Sequence, residues 1–530
     1  MIRLLYLDMK IYITLLLIIG SSFFAFAQES KSYNISIEDI QFNSDFEKEH
    51  FSGYYANNEA NWLSLFLSAY GNEALLTQAD QKINAVIAQI KILSEEQKKK
   101  KDPYIKIVFD QIHQAFFVKY EYEHSFEKIF TESTFNCVSA SALYAIIFDK
   151  LGINYKIKED PTHVFLTTVF QGEEIVVETT DPSSGYFVMD VAFKKEYIDY
   201  LIKQKVIGSN EQNTNSIEEL FNKYYFEEND IHLRALFAIQ YLNDALYLID
   251  KKEYYKSFEQ IKKAYLIQPS EQKINYLLEM NRDLLLVEAE QKTDLEKLRI
   301  YKQFIDYGLL EVDEDKLIEE FQYLTTKYIN SRAGQPSYET IYNEFKSIFG
   351  DSSLNQSIDF IYFLELARLE ILKGNLDKAL TSIEMVLAIK PEDEIATNFL
   401  NEIILNKCAF IKSFSEKYAF LNDKVKQYPT LSNNIYTNKA LIEMAFLSMS
   451  NSYEASLPQD GIFYMNEAMN WMKKSTSGYV PSDHIGLAFG NAASYYFKKG
   501  MHSKTRETLQ IGLSLDSENF ELKNRLKMIN

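Results

Sequence analysis

The sequence predicts an α+β chain: a small unit in which a helix packs on an antiparallel sheet, followed by a long all-helical array. Three observations carry this. Glycine (17) and proline (9) are scarce over 530 residues, roughly half of ordinary usage together, which favours long helices joined by short connections. β-Branched and aromatic residues crowd together at 153–158, 163–170 and 175–180, with Gln171-Gly172-Glu173 as a hairpin turn. Beyond residue 211, one helical layout recurs at matching positions.

Composition bounds the rest. Hydrophobic residues make up 46% and charged residues 25%, as in a folded protein. The length calls for more than one core. Net charge is −19 with no basic domain, which speaks against nucleic acid as a partner, because phosphate binding needs a positive surface. Two cysteines far apart, Cys137 and Cys408, do not make a disulfide scaffold.

The elements follow in order. Residues 1–27 read as a signal peptide: Arg3 and Lys10 precede an apolar run at 11–24, and Ala25-Phe26-Ala27 supplies the small residues of a cleavage site. The protein is therefore expected to be exported, periplasmic or extracellular and cell-surface associated, with no membrane span after signal removal. Residues 28–60 are polar and read as an extended lead-in. A mixed domain is expected over 61–210. Trp62, Leu65, Phe66 and Ala69 share a helical face that stops at Gly71-Asn72, and Ile83, Val86, Ile87 and Ile90 continue in the next helix. Asp102-Pro103 fits a cap followed by proline at the first helical position, opening a helix to about Tyr120.

Within 135–186 lie the residues that could carry chemistry. Cys137 precedes Ser139, Ala140, Ser141 and Ala142, then Leu143, Ile146, Ile147 and Leu151, with Gly152 as the stop. That places the cysteine in the first turn of a helix, where unpaired N–H groups and partial positive charge favour a thiolate. A three-residue turn at 171–173 pairs Phe170 with Glu174 and sets His163 opposite Asp181. Phe165, Thr167 and Val169 extend that face, which is expected to lie under the cysteine helix. In this register Glu178 points to the other face. A cysteine, an imidazole that takes its proton and a carboxylate that orients the imidazole form the set used for nucleophilic attack on a carbonyl. The Cys137 N–H would be one oxyanion donor. The other histidines show no metal-ligand spacing and no glycine-rich phosphate loop occurs, so neither cofactor nor metal is expected.

These pieces resemble the transglutaminase-like (cysteine-protease-like) superfamily, most nearly its short bacterial members. The matching segments are Asn136-Cys137 with its helix, Thr162-His163-Val164-Phe165 and Glu178-Thr179-Thr180-Asp181-Pro182. The resemblance implies Cys137 as nucleophile, His163 as base and Asp181 as orienting acid. It departs from the family in a short Cys137–His163 gap and in the absence of a tryptophan beside His163 or the aspartate strand.

The region 211–530 carries the repeat. Ala245, Ala367 and Ala493 align; Ser257, Ala379 and Thr505 stand twelve residues later, and Pro269, Pro391 and Ser517 twelve after that. Small residues let two antiparallel helices approach, and the last position ends the second helix. The layout resembles the tetratricopeptide repeat, whose stacks bind proteins or peptides. The function expected is an exported cysteine enzyme acting on an amide by hydrolysis, deamidation or acyl transfer, its repeats holding a protein partner. The alternative is a catalytically inactive domain in a binding scaffold.

Overall fold

Side-chain caps open many of the helices. Ser44 accepts from the Glu47 N–H ahead of α1 (Asp45–Asn57), and Asn61 from the Ser64 N–H ahead of α2 (Trp62–Ser68). Helices α3 (Glu73–Gln97) and α4 (Tyr104–Phe116) follow. The computed structural model describes residues 31–97, 104–160, 163–181, 185–189, 191–203, 206–221, 223–224, 230–475 and 477–529. The expected signal peptide, Asp102-Pro103, Thr162 and Pro182 lie outside the described residues.

Two expectations fail early in the chain. The lead-in is not extended throughout: residues 45–57 form α1, which buries Phe51 and Tyr54. The helix expected to reach Tyr120 ends at Phe116, and Lys119–Tyr120 (β1) instead pairs in parallel with Thr134–Phe135 (β2). A short helix, α5 (Lys128–Thr131), lies between the two strands.

Next comes α6 (Cys137–Leu151), then β3 (Lys156–Asp160), β4 (His163–Phe170), β5 (Glu173–Val177) and β6 (Tyr186–Val188). Helices α7 (Val191–Lys203), α8 (Ser209–Thr214) and α9 (Ile217–Phe221) lead to β7 (Asp230–Ile231). The antiparallel sheet runs β6-β5-β4-β3-β7, so strands recur after Tyr186, where helices alone were expected.

The β4–β5 register also differs from expectation. Phe170 pairs with Glu173 and Leu166 with Val177. The turn holds two residues, Gln171 and Gly172, both at positive φ (54° and 87°), the backbone that suits the twist of a two-residue hairpin. One residue fewer in the turn exchanges the faces. Val164, Leu166, Ile175 and Val177 join the core containing α6, whereas Phe165 and Val176 pack with Ile198, Leu220 and Phe221 of α7 and α9.

The chain divides into two compact units, 1–311 and 312–530, not at the expected boundary of 210. The first unit therefore includes α10 (Leu233–Asp250), α11 (Tyr254–Ile267), α12 (Gln272–Ala289) and α13 (Asp294–Asp306). The segment before α1 is laced to these helices. The Tyr33 N–H donates to Tyr265 Oη at 2.8 Å, Tyr33 Oη to Glu279 at 2.7 Å and the Gln41 N–H to Glu259 at 2.9 Å. Glu47 and Lys263, both fully buried, pair at 2.9 Å, and Tyr241 Oη donates to the same carboxylate at 3.0 Å.

The second unit is helical: α14 (Glu314–Tyr328), α15 (Tyr338–Phe349), α16 (Ser352–Leu372), α17 (Leu376–Ile389), α18 (Glu394–Ala409), α19 (Phe414–Gln427), α20 (Ile435–Glu454), α21 (Pro458–Lys474), α22 (Ser482–Lys498), α23 (His502–Leu515) and α24 (Phe520–Ile529). The aligned small residues Ala245, Ala367, Ala493, Ser257, Ala379 and Thr505 are all buried. They lie in the pairs α10/α11, α16/α17 and α22/α23, and Ser257 Oγ donates to the Ala245 carbonyl at 3.0 Å across the first pair.

A fourth pair, α20/α21, has the same construction. Each pair is joined by three residues whose middle member is left-handed: Lys252 (60°), Gly374 (78°), Ser456 (63°) and Gly500 (72°). In each, the next N–H reaches the carbonyl five residues back: Glu253 to Leu248, Asn375 to Glu370, Leu457 to Ser452 and Met501 to Tyr496, at 2.8, 2.8, 2.8 and 3.0 Å. Gly461 occupies the small-residue position of this fourth pair, where an added Cβ would lie 2.4 Å from the Tyr453 ring.

Candidate functional site

The N-terminus of α6 is built by reciprocal capping. Asn136 Oδ1 accepts from the Ser139 N–H at 2.9 Å, and Ser139 Oγ accepts from the Asn136 N–H at 3.0 Å. The Ala140 N–H takes the Asn136 carbonyl. That leaves the N–H groups of Cys137 and Val138 at the mouth of the helix. Behind the cap, buried Ser141 Oγ joins the Val164 carbonyl and Thr179 Oγ1, each at 3.1 Å, fastening α6 to β4 and to the segment just past β5 that carries Glu178.

His163 occupies the first position of β4. Its Nε2–H donates to both carboxylate oxygens of Glu178, at 2.9 and 2.8 Å. With Nε2 engaged, Nδ1 is the ring nitrogen left for sulfur, and Cys137 is near enough to act on the imidazole. Cys137 first, then Glu178, pushes the imidazole up to about 10 against the opposing effect of burial. His163 is therefore cationic at neutral pH. Burial pushes the Glu178 carboxyl up, but bonds from His163 and Thr180 outweigh it and hold the group below its ordinary value. Thr180 donates to Glu178 Oε1 from its N–H at 3.2 Å and from Oγ1 at 2.8 Å. Cys137 and the side chains of His163 (31% exposed) and Glu178 (24%) are partly open to solvent.

Sequence reasoning placed Cys137 and His163 together; in the structure Cys137 is the main cause of the raised His163 imidazole. The structure does not bring Asp181 to His163. Asp181 lies beyond β5, past the turn at 179–180, and the two-residue hairpin brings Glu178 to the side of the histidine. The charge of Asp181 acts instead on His113, a buried imidazole lowered chiefly by desolvation and supported by the Thr179 backbone, Asp110, Asp181 and Glu178. The signal for Glu178 was present in Gln171-Gly172, whose glycine suits a two-residue turn and fixes the register in its favour.

One further residue went unnoticed. Tyr120 pairs with Phe135, two residues before Cys137, and Cys137 acts on its phenol. Burial is the main reason its phenol is raised, with Cys137 adding to it. The strand β1 was read as the end of a helix, which hid this neighbour. Gly185 closes the far side: its carbonyl accepts from the Glu178 N–H at 2.6 Å, and an added Cβ would lie 2.2 Å from the carbonyl oxygens of both Glu178 and Asp181. Among the described residues, no group of three or more histidine, cysteine, aspartate or glutamate side chains could hold a metal ion.

The arrangement defines a solvent-accessible thiol beside an imidazolium held by a carboxylate, in a chain whose remaining bulk is paired helices. No protein-family model matches the chain, and no curated protein matches it. Solved structures do. One is a tetratricopeptide repeat protein from Parabacteroides merdae, 12% identical, covering 55% of this chain and 98% of its own, with a TM-score of 0.16. Another is Naa15/Naa10 bound to HypK-THB, 14% identical, covering 64% of this chain and 63% of its own, with a TM-score of 0.15. Scores this low carry no weight on the fold; the tetratricopeptide-like layout rests on the four helix pairs themselves.

Proposed function

We propose that the protein is a cysteine enzyme acting on amide bonds of a protein or peptide, with Cys137 as nucleophile, His163 as proton carrier and Glu178 as the orienting carboxylate. The observation that supports it is the His163 ring held between the Glu178 carboxylate and the Cys137 side chain. In this reading the cysteine proton already sits on His163, and Cys137 Sγ bonds to the amide carbon as the thiolate. The C–N bond then breaks, the leaving nitrogen receives the proton from His163, and a thioester remains. Water or an amine resolves the thioester and restores the thiol. The N–H groups of Cys137 and Val138, with the Tyr120 hydroxyl, would be the donors to the developing oxyanion. The transglutaminase-like resemblance carries over with Glu178 standing where Asp181 was expected. Export by the 1–27 segment belongs to the same proposal.

The test is alkylation with iodoacetamide at pH 7, followed by mass spectrometry. Cys137 should react at least about tenfold faster in the wild-type chain than in His163→Ala. Buried Cys408, raised by desolvation, is the internal control and should be unchanged between the two. Equal Cys137 rates in the two chains would overturn the reading.

A second reading, a protein-binding scaffold with an idle cysteine, is favoured by the four like helix pairs and by Leu372, Phe410 and Phe520, which stand 80%, 83% and 79% exposed. It expects partner binding by the full chain to survive Cys137→Ala and His163→Ala alike.

A further inference from the structure

Strand β1 is short, and among the described residues nothing pairs with one of its edges. The ladder to the segment before α6 uses the N–H groups of Val118 and Lys119, both donating to the Ser133 carbonyl, and that of Glu121, donating to the Phe135 carbonyl at 2.8 Å. Tyr120 lies between them, so its own N–H and C=O point away from β2. Among the described residues, no hydrogen bond engages either group.

The side chains alternate. Lys119 and Glu121 share one face and pair with each other at 2.7 Å. Val118, Tyr120 and Tyr122 share the other, at 82%, 47% and 71% exposure, and Cys137 acts on the Tyr120 phenol. The next charge along, Glu123, is paired with Lys251 at 2.7 Å. Tyr247 of α10 anchors the strand end by donating to the Tyr122 carbonyl at 2.6 Å. An aromatic, backbone-bearing edge thus runs alongside Phe135, two residues before Cys137.

Resting on the cysteine-nucleophile reading, we propose that the substrate is an extended peptide segment that adds as a strand to this edge of β1, bonding the Tyr120 N–H and C=O and presenting its amide to Cys137. Main-chain bonds of this kind recognise extension rather than sequence, while Val118 and Tyr122 favour apolar side chains on the bound segment.

The probe is acetyl-Phe-Val-Gly chloromethyl ketone, with analogues N-methylated at each backbone nitrogen in turn and iodoacetamide as a reagent without a backbone to pair. In labelling, Cys137 Sγ forms a C–S bond to the methylene carbon and chloride leaves. On the wild-type full chain, methylation of one particular nitrogen should slow labelling about five- to tenfold, the loss of a single hydrogen bond. Tyr120→Phe, which keeps the edge, should retain that penalty. Val118→Asp and Tyr122→Asp should slow the peptide reagent and leave iodoacetamide unchanged.

If iodoacetamide shows a reactive Cys137 while every methylated analogue labels like its parent, the strand-addition proposal fails and the nucleophile stands. If iodoacetamide shows no dependence on His163, the nucleophile reading itself fails. If the chain runs as a dimer that Tyr122→Asp dissociates, with faster peptide labelling as a result, a second copy owns the edge and the proposal is overturned.

Discussion

His163 and Glu178 show what single residues contribute. The folded imidazole titrates near 10, above its ordinary value of about 6.5. Its contacts with Cys137 and Glu178 therefore add stability that is complete below about pH 6.5 and is lost as pH rises through about 10. Denaturant titrations should show wild type losing stability between pH 7 and 10, with His163→Ala losing less. Glu178→Gln should bring the His163 midpoint down, read from the imidazole C–H resonances, while Asp181→Asn should leave it in place. A midpoint that follows Asp181 would return the orienting role to that residue. Ser141→Ala should cost about 1–3 kcal/mol, because it leaves the Val164 carbonyl and the Thr179 hydroxyl without a buried partner. The cysteine was legible because small residues and a stop at Gly152 mark a helix start. The histidine was legible because β-branched residues follow it. The carboxylate was not, because its identity depends on turn length, and the two candidates stand three residues apart.

At the scale of elements, the hairpin turn and the interhelical loops do comparable work: each fixes a register that side chains then exploit. Gly185→Ala should displace the backbone at Glu178 and Asp181, lowering the melting temperature and reducing Cys137 labelling together. In the helix pairs, Lys252 and Ser456 hold left-handed backbones that Gly374 and Gly500 hold in the other two copies. Lys252→Gly and Ser456→Gly should each stabilise the chain by up to about 1 kcal/mol in chemical denaturation. Three of the pairs could be read in the sequence because alanine recurs at one position. The fourth carries buried Met449 there, and only its loop and Gly461 betray it. The strands β1, β6 and β7 were hidden for a different reason: two or three residues are too few for alternation to show.

Over the whole chain, the boundary at 311 is the least legible feature, since it depends on contacts between segments more than two hundred residues apart. Glu47 and Lys263 are the tightest example. Removing one partner, as in Lys263→Met, should cost about 3–5 kcal/mol by leaving a buried charge unpaired, whereas Glu47→Gln combined with Lys263→Met should recover much of the loss in thermal unfolding. The lacing of Tyr33, Gln41 and Glu47 onto α11 and α12 also orders events in time. The N-terminal segment leaves the ribosome long before Tyr265 and Glu279 exist to receive it. Contacts so distant in sequence form slowly, so the early segment must wait, unpartnered, while the strands bearing His163 and Glu178 are made. The shortest chain able to complete this unit therefore ends beyond Glu279, and not where the sheet does.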